Sequence, residues 1–119
     1  MDTLARWLNV VDVEATCWQG APPQGQTSEI IEIGLTVVDF EAGEHGERVA
    51  KHRILVRPQR STVSGFCAEL TGLTQSEVDS GVSFAEACKL LAAQYQSSPA
   101  CRWRAVTTMA RTTPGTSPR

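Results

Sequence analysis

Hydrophobic and polar residues alternate along the first half of the chain in three stretches. Residues 6–14 form a mainly apolar run, residues 29–40 alternate strictly, and residues 49–57 form a third run that ends before a proline. A side-chain period of two predicts strands with one buried face. The inward positions of the second stretch are Ile31, Ile33, Leu35 and Val37. Two glycines within residues 41–47 predict a hairpin turn, so the three strands should form an antiparallel meander.

The pattern becomes helical in the second half. Thr74 to Glu77 and Ser83 to Glu86 each match the capping box, in which a hydroxyl and a carboxylate satisfy the free amides at a helix start. After the second box, apolar residues recur at helical spacing and predict one apolar helix face against the sheet: Phe84, Ala87, Cys88, Leu91 and Tyr95. The expected fold class is therefore α/β, with an antiparallel three-stranded meander followed by helices.

Composition is that of one small globular domain. The chain has 119 residues, of which 41% are apolar and 20% charged. No apolar run is long enough to span a membrane, and the first residues lack a basic-then-apolar signal, so we expect a cytoplasmic protein without a membrane partner. The four cysteines have no Cys-x-x-Cys spacing and are expected to be reduced and mostly buried. Nothing indicates an oligomeric state.

Charge is distributed unevenly. Residues 97–119 contain four arginines and no acidic residue, and because the net charge of the chain is −2, residues 1–96 carry −6. A basic platform for nucleic acid is therefore excluded from the folded part, whereas an acidic metal site that binds phosphate through cations is compatible with it. Residues 97–119 are rich in Thr, Pro, Arg and Ser without a strand or helix period, which predicts a disordered tail.

Two carboxylates near the end of the first strand are the strongest chemical signal. Asp12 and Glu14 are two residues apart, so a strand directs both to one face. A polar loop rich in Pro and Gly, residues 19–28, follows them. Two adjacent carboxylates in an apolar setting need neutralisation, which a hard cation such as Mg²⁺ or Mn²⁺ supplies. The alternative is a solvated strand edge or a helix-capping pair.

Three blocks of sequence carry a family resemblance: Val-Val-Asp-Val-Glu-Ala-Thr-Cys-Trp at 10–18, Glu-Ile-Ile-Glu-Ile-Gly at 29–34, and Phe-Cys-Ala-Glu-Leu-Thr-Gly-Leu-Thr at 66–74. In this order and spacing they resemble the DEDDh superfamily of 3′–5′ exonucleases. Within that superfamily they look most like the histone-mRNA 3′-end exonuclease group and its bacterial sporulation-inhibitor relatives. The resemblance implies a ribonuclease-H-like fold and hydrolysis of nucleotides from a 3′ end of RNA or DNA by two divalent ions, Mg²⁺ or Mn²⁺.

The resemblance also implies roles for individual residues. Asp12 would hold both ions, and Glu14 the ion on the side of the nucleophile. Ala15 and Thr16 match the segment that meets the 3′-terminal hydroxyl, largely through its backbone. Trp18 and Leu70 match apolar positions that pack on the terminal base, with ordinary core or loop packing as the alternative. The implied partner is the 3′ end of a single-stranded nucleic acid, with RNA favoured over DNA.

The chain departs from the family pattern after residue 96. The family has a second acidic block, commonly Gly-Asp-Tyr-Asp, after the helix, and a third with a histidine and an aspartate; here no Asp follows Asp79 and no His follows His52. We therefore expect residues 1–96 to be the N-terminal portion of a truncated exonuclease domain, inactive alone. One choice of codons for residues 105–109 encodes Gly-Asp-Tyr-Asp when it is read in another frame. We therefore interpret residues 97–119 as a frameshifted tail. The alternative is a natural low-complexity terminus. The alternative function is a non-catalytic nucleic-acid-binding module.

Overall fold

One mixed sheet carries the fold in the computed structural model, which describes residues 6–97 and 105–109. Its strands and helices follow one another along the chain as β1 (Trp7–Ala15), β2 (Ile30–Asp39), β3 (Glu47–Leu55), α1 (Gly65–Thr71), α2 (Gln75–Asp79), α3 (Phe84–Ser97) and β4 (Ala105–Met109). The strand order across the sheet is β3-β2-β1-β4. Among the described helices, none is both long and apolar enough to cross a lipid bilayer.

The antiparallel meander expected from the sequence is confirmed. β1 pairs antiparallel with β2, and β2 pairs antiparallel with β3. The alternation in β2 is the reason: its four inward side chains are at most 4% exposed (Ile31, Ile33, Leu35 and Val37). At the far end of the sheet the two guanidinium nitrogens Nε and Nη2 of Arg6 donate to the carboxylate of Asp39, at 2.9 and 3.0 Å. This ion pair ties the start of β1 to the end of β2.

The fourth strand corrects one prediction. Ala105–Met109 pair parallel with β1, and Thr108 is the backbone partner of Asp12. The prediction of disorder is therefore wrong for these five residues. Composition favoured disorder, but three consecutive β-branched residues, Val106 to Thr108, suit a strand, and the edge of β1 offers them a backbone ladder. The rest of the predicted tail after Ser97 lies outside the described residues, and the domain boundary at residue 96 stays a prediction.

The helix α3 packs on one face of the sheet. Ala87 is fully buried in a core cluster with strand residues at the odd positions of β1 and β2, and Leu91 packs against it. The cluster consists of Val13, Ile33, Ile54, Val56 and Ala87. The predicted apolar face is only partly realised, because Phe84 is 52% exposed and Cys88 is exposed. Phe84 is the first residue of α3 and borders an open cleft instead of the core.

A second core cluster joins the end of β1 and the start of β2 to the two short helices. Its buried members are Cys17, Ile31, Cys67, Leu73 and Val78. The capping box predicted at Thr74 is complete in α2, and the Ser83 hydroxyl accepts from the backbone N–H of Glu86 at the start of α3, at 3.1 Å. α1 ends at Gly72, whose φ of 80° is a left-handed cap that glycine adopts without strain.

Candidate metal-binding face

The two carboxylates of β1 lie on the sheet face that α3 does not cover. Val11 and Val13 contact the α3 core, so their even-numbered neighbours Asp12 and Glu14 point to the opposite face. Asp12 is exposed and Glu14 is half-buried. The period of β1 therefore brings both carboxylates to one accessible surface, next to the loop that leaves the strand.

The register adds a third carboxylate and a guanidinium to this face. Glu32 of β2 is the partner of Glu14, and Gly34 is the partner of Asp12. Arg53 of β3 is in turn the partner of Gly34, and its Nε forms an ion pair with the carboxylate of Glu32. Asp12, Gly34 and Arg53 thus form one row across β1, β2 and β3. Because Gly34 has no side chain, no side chain stands between Asp12 and Arg53 in this row. We call Asp12, Glu14, Glu32 and Arg53 the charged face.

The donors of the charged face suit a hard divalent cation. Carboxylate oxygens are the ligands that Mg²⁺ and Mn²⁺ prefer, and two of them project from one strand beside a position without a side chain. Within residues 6–97 and 105–109, however, no cluster of three or more His, Cys, Asp or Glu side chains has the arrangement to hold an ion. The described residues thus supply part of a ligand set, centred on Asp12 and Glu14.

A ring of hydrogen bonds fixes the chain directly after β1. The backbone N–H of Glu29 donates to Thr16 Oγ1 at 2.9 Å, and Ser61 Oγ donates to Glu29 Oε1 at 2.5 Å. A hydroxyl has one hydrogen, so in the 2.9 Å contact between Thr16 Oγ1 and Ser61 Oγ the Thr16 hydroxyl is the donor. The ring therefore begins and ends on Glu29. Thr16 is fully buried, so water does not compete with it.

The Glu29 carboxylate also holds the backbone of the segment that contains Ser61. It accepts the N–H groups of Gln59 at 3.0 Å and Arg60 at 2.8 Å. Burial by itself would raise the pKa of Glu29, but the hydrogen bonds from Ser61, Gln59 and Arg60 outweigh it, so its pKa is lowered. A charged Glu29 is thus part of what keeps this segment against β1.

The backbone on either side of Thr16 is anchored as well. The carbonyl of Thr16 accepts from Ser28 Oγ at 2.6 Å, and the N–H of Thr16 donates to the carbonyl of Glu29 at 2.8 Å. The carbonyl of Cys17 accepts from Ser64 Oγ, the N-cap of α1, at 2.8 Å. The polar groups of Thr16 are thus used inside the protein, and the segment that follows Glu14 is held rigidly.

The cysteines near this segment are structural. Cys67 Sγ donates to the carbonyl of Ala15 at 3.5 Å, and both Cys17 and Cys67 are buried. Burial, together with the neighbouring Cys67 and Glu14, raises the pKa of Cys17 to about 12. A thiol with such a pKa stays protonated at neutral pH and is a poor nucleophile. The predicted free thiols are confirmed for the described cysteines, although Cys88 is exposed.

The two predicted base-contacting residues lie near the same end of β1. Trp18 is half-buried and directly follows Cys17 in the chain. Leu70, on α1, packs against the second core cluster, to which Cys17 belongs. We call residues 15–18 the anchored segment. Trp18 is its last residue, and Leu70 contributes to the core cluster that contains Cys17.

Sequence reasoning did not single out Glu32, Arg53 and Ser61. Glu32 was within a recognised block, and its outward position follows from the alternation of β2, but its pairing with Glu14 needs the register. Ser61 lies 45 residues from Thr16, in a segment without any periodic pattern. Only the folded chain brings these residues together.

Comparison with known families and proteins gives a consistent result. The exonuclease family model RNase_T matches residues 10–96. The chain is 37% identical over 77 residues to the 3′-5′ exonuclease Snipper of Drosophila melanogaster, covering 64% of this chain and 27% of that protein. It is 34% identical over 89 residues to 3′-5′ exoribonuclease 1 of Homo sapiens, covering 74% and 24%. The chain thus spans about a quarter of the length of these relatives.

Solved structures share the fold. The nuclease domain of 3′hExo, a DEDDh family member bound to rAMP, matches with a TM-score of 0.71 and 25% identity, over 92% of this chain and 54% of that one. A 3′-exonuclease that recognises the 3′ end of a histone mRNA stem-loop matches with a TM-score of 0.68 and 30% identity, over 80% and 41%. These matches confirm the ribonuclease-H-like exonuclease fold predicted from the sequence.

Proposed function

This chain belongs to the exonuclease family whose model matches residues 10–96, and from that premise we propose that its charged face is the first half of a 3′–5′ exonuclease site that acts on RNA. By family the protein is a hydrolase of phosphodiester bonds. The observation that carries the proposal is the common face of Asp12 and Glu14, opposite Gly34 and outside the α3 core.

Asp12 and Glu14 are proposed as the ligands of divalent cations, Mg²⁺ or Mn²⁺. The strand fixes their spacing, and the open position at Gly34 gives a cation and a phosphate access to them. When bound, such cations stabilise the charge that develops on the phosphoryl oxygens. The protein contributes by holding two negative charges on a rigid strand, where they need little reorganisation.

The anchored segment is proposed to position the substrate. Ala15 would present its backbone to the 3′-terminal hydroxyl and Thr16 would hold Ala15 in position, while Trp18 and Leu70 would contact the terminal base. The hydrogen-bond ring supports this assignment indirectly, because it holds the segment beside Glu14. Since the polar groups of Thr16 are used within the protein, its own contribution to the site is to keep its neighbours in position.

The substrate class is proposed from the relatives. The human relative is named an exoribonuclease, and one solved neighbour recognises a histone mRNA stem-loop. We infer a single-stranded 3′ end as the substrate of this chain, with RNA preferred over DNA. Paired assays on RNA and DNA of one sequence test the preference, and faster release from DNA would contradict it.

We further propose that the chain alone is a weak or inactive nuclease, because two carboxylates are half of the four that the family resemblance implies. The test is release of single nucleotides from 3′-labelled RNA with Mn²⁺, for the chain, for Asp12→Ala and for Asp79→Ala. Asp79 is an exposed acidic residue at the end of α2 and is the matched control.

Three outcomes separate the possibilities. Nucleotide release that is lost only in Asp12→Ala supports the site and contradicts the inactivity. No release, with RNA binding that depends on Trp18, favours the non-catalytic binding module. Release that is equal in all three samples excludes Asp12 from the reaction and overturns the proposed site.

The frameshifted tail is proposed separately. Its support is that one choice of codons for residues 105–109 encodes Gly-Asp-Tyr-Asp in another frame, together with their pairing beside β1, where Thr108 is the partner of Asp12. A restored frame would put acidic residues near that partner position. The coding nucleotide sequence is the test: third bases that do not spell Gly-Asp-Tyr-Asp in the alternative frame would rule the proposal out.

A further inference from the structure

The ion pair between Arg53 and Glu32 lies beside the proposed cation ligands but includes neither of them. Glu32 is the direct cross-strand partner of Glu14, so their Cβ atoms are about 4.5–5.5 Å apart, as for any such pair. Two carboxylates at this separation repel each other. Arg53 relieves the repulsion from the β3 side, since its Nε bonds the Glu32 carboxylate.

Two observations tie Arg53 to Glu32. The Glu32 side chain is 20% exposed, and the Arg53 side chain that pairs with it is 51% exposed, so solvent reaches the ion pair mainly from the arginine. The pKa of Arg53 is raised, first by its hydrogen bond to Glu32 and also by the charges of Glu32 and Glu77. Gly34, between Arg53 and Asp12 in the same row, leaves room for the guanidinium to turn along the face.

We propose that Arg53 sets the cation affinity of the charged face by neutralising Glu32, whose charge would otherwise add to that of the face. With the ion pair formed, Arg53 compensates the charge of Glu32. Without Arg53, Glu32 carries an uncompensated negative charge opposite Glu14, its cross-strand partner. The cation would then bind more tightly, while the phosphate of a substrate would meet a more negative surface. This inference rests on the proposed cation site.

The test is Mn²⁺ binding to the whole chain, measured by the loss of the free-Mn²⁺ electron paramagnetic resonance signal. Arg53→Gln should lower the Kd by about three- to tenfold, the effect of one extra charge near a divalent ion in a solvent-rich setting. Lys51→Gln is the matched control, because Lys51 is on the same strand and face but pairs with Thr36 instead of Gly34. Lys51→Gln should change the Kd by less than about twofold, because Lys51 is two residues farther along β3 from the proposed cation ligands than Arg53.

A double substitution identifies the cause. In Arg53→Gln with Glu32→Gln, the Kd should return to within about twofold of the parent value, because the third carboxylate is gone. A gain in affinity that persists in the double variant, or an unchanged Kd in Arg53→Gln, would overturn the proposal. Circular dichroism of each variant ensures that only folded chains are compared.

Asp12→Asn separates this inference from the proposed function. Weak Mn²⁺ binding by Asp12→Asn together with tighter binding by Arg53→Gln supports both. If Asp12→Asn binds Mn²⁺ weakly, as expected, but Arg53→Gln does not bind it more tightly, the proposed role of Arg53 is contradicted and the proposed cation site stands. If Asp12→Asn binds as well as the parent chain, the cation is elsewhere, and both proposals fail.

Discussion

The hydrogen-bond ring around Thr16 makes a quantitative prediction. Thr16→Val keeps the shape of the side chain but removes the hydroxyl that accepts from the Glu29 N–H and donates to Ser61 Oγ. Because Thr16 is fully buried, water does not replace it, and the Glu29 N–H loses its partner within the ring. We expect a loss of stability without any change in the volume of the core.

The size of the loss follows from the two bonds. A buried donor left without its acceptor costs about 1–3 kcal/mol, and the second, neutral hydrogen bond contributes about 0.5–1.5 kcal/mol. We therefore expect Thr16→Val to lower the free energy of unfolding by about 1.5–4.5 kcal/mol. For a domain of this size each kcal/mol is worth roughly 4 °C in Tm, so Tm should fall by about 6–18 °C.

Thr16→Ser is the control, because it keeps the hydroxyl and removes one methyl group, at a cost of about 1 kcal/mol. Urea unfolding followed by circular dichroism measures both variants against the parent. If Thr16→Val is as stable as the parent within about 0.5 kcal/mol, or more stable than Thr16→Ser, the ring does not stabilise the segment after β1 and the reasoning is refuted.

Two further predictions concern the same framework. The lowered pKa of Glu29 means that its charge stabilises the fold above its ordinary pKa, and that this stabilisation is lost as the pH falls through the lowered value. Glu29→Gln should therefore cost more stability in urea unfolding at pH 7 than at pH 3, and equal effects at both would contradict this. A Cβ on Gly81 would collide with the carbonyl oxygen of Leu55, whereas one on Gly65 would meet nothing within 4 Å. Gly81→Ala should thus lower the free energy of unfolding by at least about 2 kcal/mol and Gly65→Ala by less than about 1 kcal/mol. Equal unfolding midpoints would show that the backbone of Gly81 is not packed tightly against Leu55.

The sequence predicted those features that depend on local periodicity. The alternation of β2 identified its buried face, and the spacing of Asp12 and Glu14 indicated their common face. The position of Glu32 opposite Glu14 was not predictable in the same way, because the register includes a bulge next to Glu14. A shift of one residue would have turned Glu32 to the α3 side.

Long-range contacts account for the other differences. The Thr16–Ser61 bond joins residues in two irregular segments, and no pattern within either segment indicates the other. β4 was missed because its composition resembles a polar tail, while its order comes from pairing with the edge of β1. Phe84 matched the helical period but begins α3 at the edge of an open cleft, where half of its side chain stays exposed.

Mapping the bound cation tests the central claim most directly. Mn²⁺ broadens nuclear magnetic resonance signals of nearby amides, so a titration of the ¹⁵N-labelled chain locates the ion. We predict that the signals of Asp12, Glu14 and Gly34 disappear first and that Asp12→Asn removes this effect. Broadening that begins instead at the acidic turn of residues 41–47, or that persists around β1 in Asp12→Asn, would contradict the assignment of the charged face as the cation site.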